Sequence, residues 1–256
     1  MEQSKAKREK QAVDFGKDPI AKILFRLAPP VMLAQLIQAL YNIVDSFFVG
    51  RNSESGLTAL SIVYPLQLLM IALAVGTGVG INTLMAHFSG LGREKESQES
   101  AGLAMPLAVL SWIVFALLCF AGMPAYARIS TKSPIIIREV IVYGRIVCVC
   151  SIGLFLESGW TKVLQAEGDM RLPMVAQIAG AVVNIALDPV LIFGLGFVPK
   201  MGIAGAAVAT VAGQIVAALI VMPKGYRKMP AVSTWKNYIK RIYYLGFPNI
   251  LMQSAY

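Results

Sequence analysis

Residues 177–196, QIAGAVVNIALDPVLIFGLG, hold one charge, Asp188, in the middle of an apolar run, and no other charged residue occurs between Arg171 and Lys200. The run is long enough to cross a bilayer, and an ionisable side chain at that depth costs several kcal/mol unless something partners it. Asn184 precedes Asp188 by four positions and shares its helical face. Pro189 lacks an amide hydrogen, so the carbonyl of Ile185 loses its usual helical partner. A carboxylate, an amide oxygen and a freed carbonyl at one level make a site for a small hard cation.

Working outward, the rest of the chain has the same character. Of 256 residues, 57% are hydrophobic and 14% charged, whereas soluble domains carry about a quarter charged residues. This composition predicts an all-α polytopic membrane protein. The net charge of +9 does not point to nucleic acid, because the basic residues sit between apolar runs and form neither a stripe nor a nucleic-acid module. Cys119, Cys148 and Cys150 all lie in apolar segments, and the last two lack the second ligand pair of a zinc site. They read as packed thiols. The polar start of the chain carries no cleavable signal pattern.

Residues 1–22 form a basic tail, expected on the cytoplasmic side, and Asp18-Pro19 then reads as the start of a helix. The first apolar run lies between Arg26 and Arg51, interrupted only by Asp45; the second between Glu54 and Arg93; the third between Glu99 and Arg128. A fourth, at about 135–164, is broken by Arg138, Glu139, Arg145 and Glu157 and is required by the topology. The 177–196 stretch is the fifth, and Met201–Pro223, rich in glycine and alanine, is the sixth. Of the 23 Lys and Arg residues, 17 fall on the side of the N-terminal tail and 5 on the other, with Arg145 inside the fourth run. That asymmetry predicts a cytoplasmic N-terminus and six crossings of the cell (inner) membrane, surrounded by lipid.

Residues 22–35 align with 240–253 at a shift of 218, with matches at Lys22/Lys240, Leu27/Leu245, Pro30/Pro248, Leu33/Leu251 and Gln35/Gln253. Each copy opens an apolar segment after a basic stretch, as parallel repeats in transporters do. The expected organisation is a six-helix lobe at 23–223, a cytoplasmic linker at 224–241, and at 242–256 the start of a seventh helix belonging to a second lobe. About 15 apolar residues are too few to span a bilayer, so the chain reads as a fragment of a longer protein.

Counting 1.5 Å per helical residue puts Asp45 about 28 Å, and Asp188 about 25 Å, above the basic side. Thr210, about 13 Å from the outer end of the sixth run, falls near Asn184 and Asp188. Asp45, Asn184, Asp188 and Thr210 therefore form a candidate cation site, with sodium as its candidate metal. Gln35, Gln38, Asn42 and Asp45 share one face of the first helix, and Gln177, Gly180, Asn184 and Asp188 repeat the pattern in the fifth. The glutamines and Asn42 read equally as interhelical glue and as substrate-cavity lining, as does Glu157. Pro29, Pro30 and Pro189 are candidate hinges. Arg145 has no partner evident from sequence, and His87 reads as an interfacial side chain. The GTGVG run at 76–80 reads as helix packing, because the lysine and strand context of a phosphate loop are missing. HExxH and GxSxG motifs are absent, which argues against common membrane-embedded hydrolases.

Four segments in order resemble the N-terminal half of the multidrug and toxic compound extrusion (MATE) transporters. They are Pro30-x4-Gln35 with Asp45-x4-Gly50, QAEGDMRLPM at 165–174, NIALDP at 184–189 and GIAGAAVAT at 202–210. The resemblance implies twelve helices in two lobes, no enzymatic activity, no cofactor, and export of small organic cations in exchange for sodium ions or protons. It also implies that Asp45, Asn184, Asp188 and Thr210 bind the coupling ion, whose entry neutralises the two aspartates and lets the first helix bend at Pro29-Pro30. A lone lobe lacks the central cleft, so transport is expected to need the missing C-terminal lobe. Two alternatives remain at this stage. One is a lipid-linked oligosaccharide flippase of the same superfamily, whose expected arginine-rich cavity is represented only by Arg145. The other is a truncated fragment that does not transport.

Overall fold

The computed structural model describes residues 19–194 and 198–254; most of the basic tail, residues 195–196 of the fifth apolar run with residue 197 after it, and the last two residues of the expected seventh-helix start at 242–256 lie outside them. Among the described residues all regular structure is helical. The helices are α1 (Ile20–Asn52), α2 (Glu54–Gly90), α3 (Glu94–Gly102), α4 (Ala104–Ser130), α5 (Pro134–Val149), α6 (Ile152–Ala166), α7 (Arg171–Phe193), α8 (Ile203–Gly225) and α9 (Trp235–Ser254). Six stretches are long and apolar enough to cross a membrane: Ala28–Asn52, Glu54–Gly90, Glu94–Ser130, Pro134–Ala166, Arg171–Phe193 and Ile203–Gly225. The protein is thus a multi-pass membrane protein, with one crossing for each expected apolar run.

Two of those crossings are not single helices. The fourth run, expected to be continuous over 135–164, is divided between α5 and α6 at Cys150–Ser151. The buried Ser151 hydroxyl donates to the Cys148 carbonyl at 2.8 Å, offering the chain a local alternative to the helical ladder. Gly153 then lets α6 lie against the backbone of α8, where a Cβ would come within 2.8 Å of the Ile215 nitrogen. The third crossing is divided in the same way between α3 and α4 at Leu103.

The turns follow from their residues. Ser53 sits in extended conformation between α1 and α2, and its Oγ accepts from the Gly56 amide at 3.0 Å. In the Glu167-Gly168-Asp169 turn, Gly168 adopts φ 83° and the Asp169 amide donates back to the Leu164 carbonyl at 2.9 Å, closing α6. Asp169 Oδ1 then accepts from the amides of Arg171 and Leu172 at 3.1 and 3.2 Å, opening α7. One short segment ends one helix and starts the next.

Small residues let three helix pairs approach backbone to backbone. Gly180 of α7 and Gly213 of α8 face one another, each where a Cβ would lie within 2.7 Å of the other's carbonyl oxygen. The glycines at 76 and 80 do pack, as the sequence suggests. Gly80 faces the Ile242 carbonyl, and the Gly76 carbonyl lies under Gly246 of α9. The helix carrying residues 242–254 begins at Trp235, inside the stretch read as linker. Trp235, Tyr238, Ile239 and Ile242 turn one side of it onto a core shared with α2, α4, α6 and α8. A second core joins α2, α4, α5, α6 and α8 further from that end. Helix α1 packs mainly along α7, leaving a cleft bounded by α1, α2, α6, α7 and α8.

Candidate functional site

Asp188 has no solvent exposure, and neither carboxylate oxygen meets a hydrogen-bond donor among the described residues. It sits on α7 one turn after Asn184, which is 2% exposed and whose Oδ1 also lacks a donor. Asn184 Nδ2 points to Thr210 Oγ1 on α8 at 3.5 Å, at the limit of a hydrogen bond, and the Thr210 hydroxyl donates to the Ala206 carbonyl at 3.0 Å. The expected neighbourhood of Thr210 and Asn184 is therefore a direct contact. Asp45, on α1, is 6% exposed with Oδ1 unpartnered, and its carboxylate lies within electrostatic reach of Asp188. Two carboxylates, an amide oxygen and a hydroxyl converge from three helices. This is an all-oxygen donor set of the kind hard cations take.

Two cavities meet beside this set. A cleft of about 470 Å³ is lined by Gln35, Gln38, Asn42, Asp45, Glu157, Gln177 and Thr210, among others. A smaller chamber of about 70 Å³, deeper between α6, α7 and α8, is lined by Asn184, Gly180, Gly213, Gln177, Glu157 and Thr210, with Gln38 and Tyr41 from α1. All five residues read from sequence as cavity candidates line the cleft. Gln35 and Asn42 are exposed, whereas Glu157 is 7% exposed and accepts from Thr161 Oγ1 at 2.8 Å. Pro29 and Pro30 lie within α1 and Pro189 within α7, and both helices run unbroken through them. Arg145 is elsewhere. Its guanidinium stacks 4.7 Å from the centre of the Phe120 ring and donates to the Phe120 carbonyl.

Several lining residues had not been singled out. Tyr41 lies four residues before Asp45 on the same helix, a spacing that could have flagged it. Tyr64, Gln67 and Tyr143 bring α2 and α5 into the lining, with Gln67 Nε2 donating to the Tyr143 hydroxyl at 3.3 Å. No local signal marks them, because they reach the cleft from helices read only as crossings. Gln214 lines both cavities, and its Oε1 is unpartnered.

A family model, MatE, matches residues 30–190, which carry most of this site. The chain belongs to the MatE family. Its members are transporters rather than enzymes. Among MatE relatives, the chain is 30% identical to the probable multidrug resistance protein YoeA of Bacillus subtilis, over 75% of this chain and 42% of that protein. It is 27% identical to an FAD transporter of Shewanella oneidensis, over 78% of this chain and 44% of that one. A solved multidrug resistance MATE transporter of the MOP superfamily, in an outward-facing conformation, matches it with a TM-score of 0.82. That pair is 26% identical, over 91% of this chain and 52% of the other. This MatE chain thus spans about half the length of the relatives it matches.

Proposed function

We propose that this chain is one lobe of a cation-coupled exporter, joined in function to a second lobe of like fold, that carries small organic cations out in exchange for sodium ions or protons. It would sit in the cell (inner) membrane, in contact with lipid, with its N-terminus and the loops around 91–94, 167–170 and 226–234 in the cytoplasm. The uneven distribution of Lys and Arg supports that orientation. No cofactor enters the scheme.

The observation that carries the reading is Asp188, wholly buried in a membrane protein with both oxygens unpartnered, next to the orphaned Asn184 oxygen and within reach of Asp45. A charge so placed needs a counter-ion or a proton. Binding of either neutralises the Asp45/Asp188 pair, draws α1 toward α7, and uses Pro29 and Pro30 as the hinge that reshapes the cleft. Gln35, Gln38, Asn42 and Gln177 face the substrate, and Pro189 leaves the Ile185 carbonyl free beside the ion. Cation cargo agrees with the lining. FAD, the cargo of one relative, is an anionic dinucleotide that calls for basic walls. Among the described residues, this cleft presents Asp45 and Glu157 against the single cation Lys162. Arg145 on Phe120, away from the cleft, argues equally against the oligosaccharide flippase.

The test is ethidium efflux from vesicles bearing the two-lobe protein, under imposed sodium or proton gradients. Asp188→Asn is expected to insert normally and to lose gradient-driven efflux. Coupling retained in that variant refutes the assignment.

A further inference from the structure

Asp45, Glu157 and Asp188, the three buried carboxylate residues among the described residues, differ in what can reach them. Asp188 has no exposed surface and lines neither cavity. Asp45 lines the cleft alone, and Glu157 lines both the cleft and the inner chamber, at the level where Gln38, Tyr41, Gln177, Thr210 and Gln214 also face both. Only a bare ion or a proton fits at Asp188, which is fully buried, lines neither cavity, and lies on α7 between two close approaches to α8, Gly180 to Gly213 and Leu191 to Gly205. A ligand of many atoms can approach Glu157 without moving a helix.

The surroundings of Glu157 hold it ready without neutralising it. Thr161, one turn later on α6, donates to Oε1 at 2.8 Å and fixes the carboxylate. Lys162 faces it electrostatically but forms no ion pair with it; Lys162 Nζ instead donates to Gln165 Oε1 at 3.0 Å. A buried carboxylate met only by the neutral donors Thr161 and Gln177, with no cation in ion-pair contact among the described residues, is poorly compensated, and an ammonium or phosphonium ion in the chamber mouth compensates it. The Tyr41 side chain, which lines the same two cavities from α1, adds an aromatic surface suited to such an ion.

We infer that Glu157, held by Thr161, is the counter-charge for the positive centre of the substrate, separate from the Asp45/Asp188 pair that takes the coupling ion. The lobe divides its carboxylates by access: the sealed one serves the small ion, the one open to both cavities serves the large one. This rests on the exporter reading above, and the test separates the two. Tetraphenylphosphonium and its neutral relative triphenylphosphine oxide are titrated against the full chain in lipid nanodiscs.

Wild type is expected to bind tetraphenylphosphonium, and Glu157→Gln to weaken it roughly tenfold, the size of a lost charge-assisted contact. Triphenylphosphine oxide should bind wild type and variant alike, which also certifies the fold. Glu157→Asp should retain part of the cation affinity. Asp188→Asn should abolish the response of tetraphenylphosphonium binding to sodium or pH, because the carboxylate that takes the coupling ion is gone, whereas Glu157→Gln should keep that response at its lower affinity. Unchanged cation binding in Glu157→Gln, equal loss of both probes, or equal losses in the Gln and Asp variants overturns the role of Glu157. A sodium or pH response kept in Asp188→Asn, or lost in Glu157→Gln, overturns the division of labour. A wild-type chain that binds no tetraphenylphosphonium overturns both this inference and the exporter reading.

Discussion

The carboxylates of the cleft and those of the basic rim, where the 91–94, 167–170 and 226–234 segments gather, live under opposite rules. At the rim Glu96, Glu99, Glu167 and Asp169 each have a protein partner. Glu167 takes both oxygens to Arg227 at 2.6 Å, and Arg227 also reaches Gln98 and the carbonyls of Lys224 and Tyr226. Asp169 caps α7 and lies 3.9 Å from Lys224, Glu96 pairs with Arg93 at 2.7 Å, and Glu99 accepts from the Tyr238 hydroxyl at 2.6 Å. In and beside the cavities, Asp45, Asp188 and Asn184 leave acceptors open among the described residues, as do Gln177 and Gln214. The rim could satisfy its groups with water and does so with protein; the interior, where burial makes an unpaired group costly, leaves these groups without a protein partner among the described residues. Polar groups paired where pairing is cheap hold the fold, and groups unpaired where that is expensive wait for a ligand.

The sharpest way to break this contrast is Asp188→Leu. If the open carboxylate serves function and not folding, efflux falls to background while unfolding stability is unchanged or rises by about 1–3 kcal/mol. A less stable variant would mean that Asp188 holds the helices together. Next in size is Gly80→Val, where the new Cβ meets the Ile242 carbonyl of α9. Overpacking there should cost about 1–3 kcal/mol, read by thermal unfolding. Arg227→Ala follows. Its ion pair is partly exposed, with side-chain exposures of 25% and 33%, so a loss of about 1 kcal/mol is expected, without effect on ion coupling. A double-mutant cycle with Glu167→Gln measures the pair, and coupling lost in Arg227→Ala would erase the distinction between rim and cleft. The smallest effect belongs to Thr210→Val. The 3.5 Å contact with Asn184 is weak, so cation affinity should drop about two- to threefold, measured by sodium- or proton-induced fluorescence change.

How far these groups were legible in the sequence depended on how local their signal is. The six crossings were, since hydrophobic length is a property of consecutive residues and the bilayer sets the minimum. The pairing of Thr210 with Asn184 was legible through depth counting, because helices that cross the same slab share a vertical scale. The division of the fourth crossing at Ser151 was hidden, because hydropathy does not sense a hydroxyl competing for the Cys148 carbonyl. Glu167 and Arg227 stand 60 residues apart, and nothing in either segment announces the other. Tyr143 and Gln67 were missed for the same reason.

Sequence alone determined six stretches long and apolar enough to cross a membrane, matched among the described residues, and Asp188 as the one charge in the fifth, with Asp45, Asn184 and Thr210 expected near its level. Each follows from composition along one helix and from the fixed rise per residue. Only the tertiary structure decided which of the three interior carboxylates a large ligand can touch. That depends on how each helix is rotated about its own axis and how closely Gly180 and Gly213 let α7 and α8 approach. Asp188, with no exposed surface, lines neither cavity, while the placement of α6 leaves Glu157 open to both.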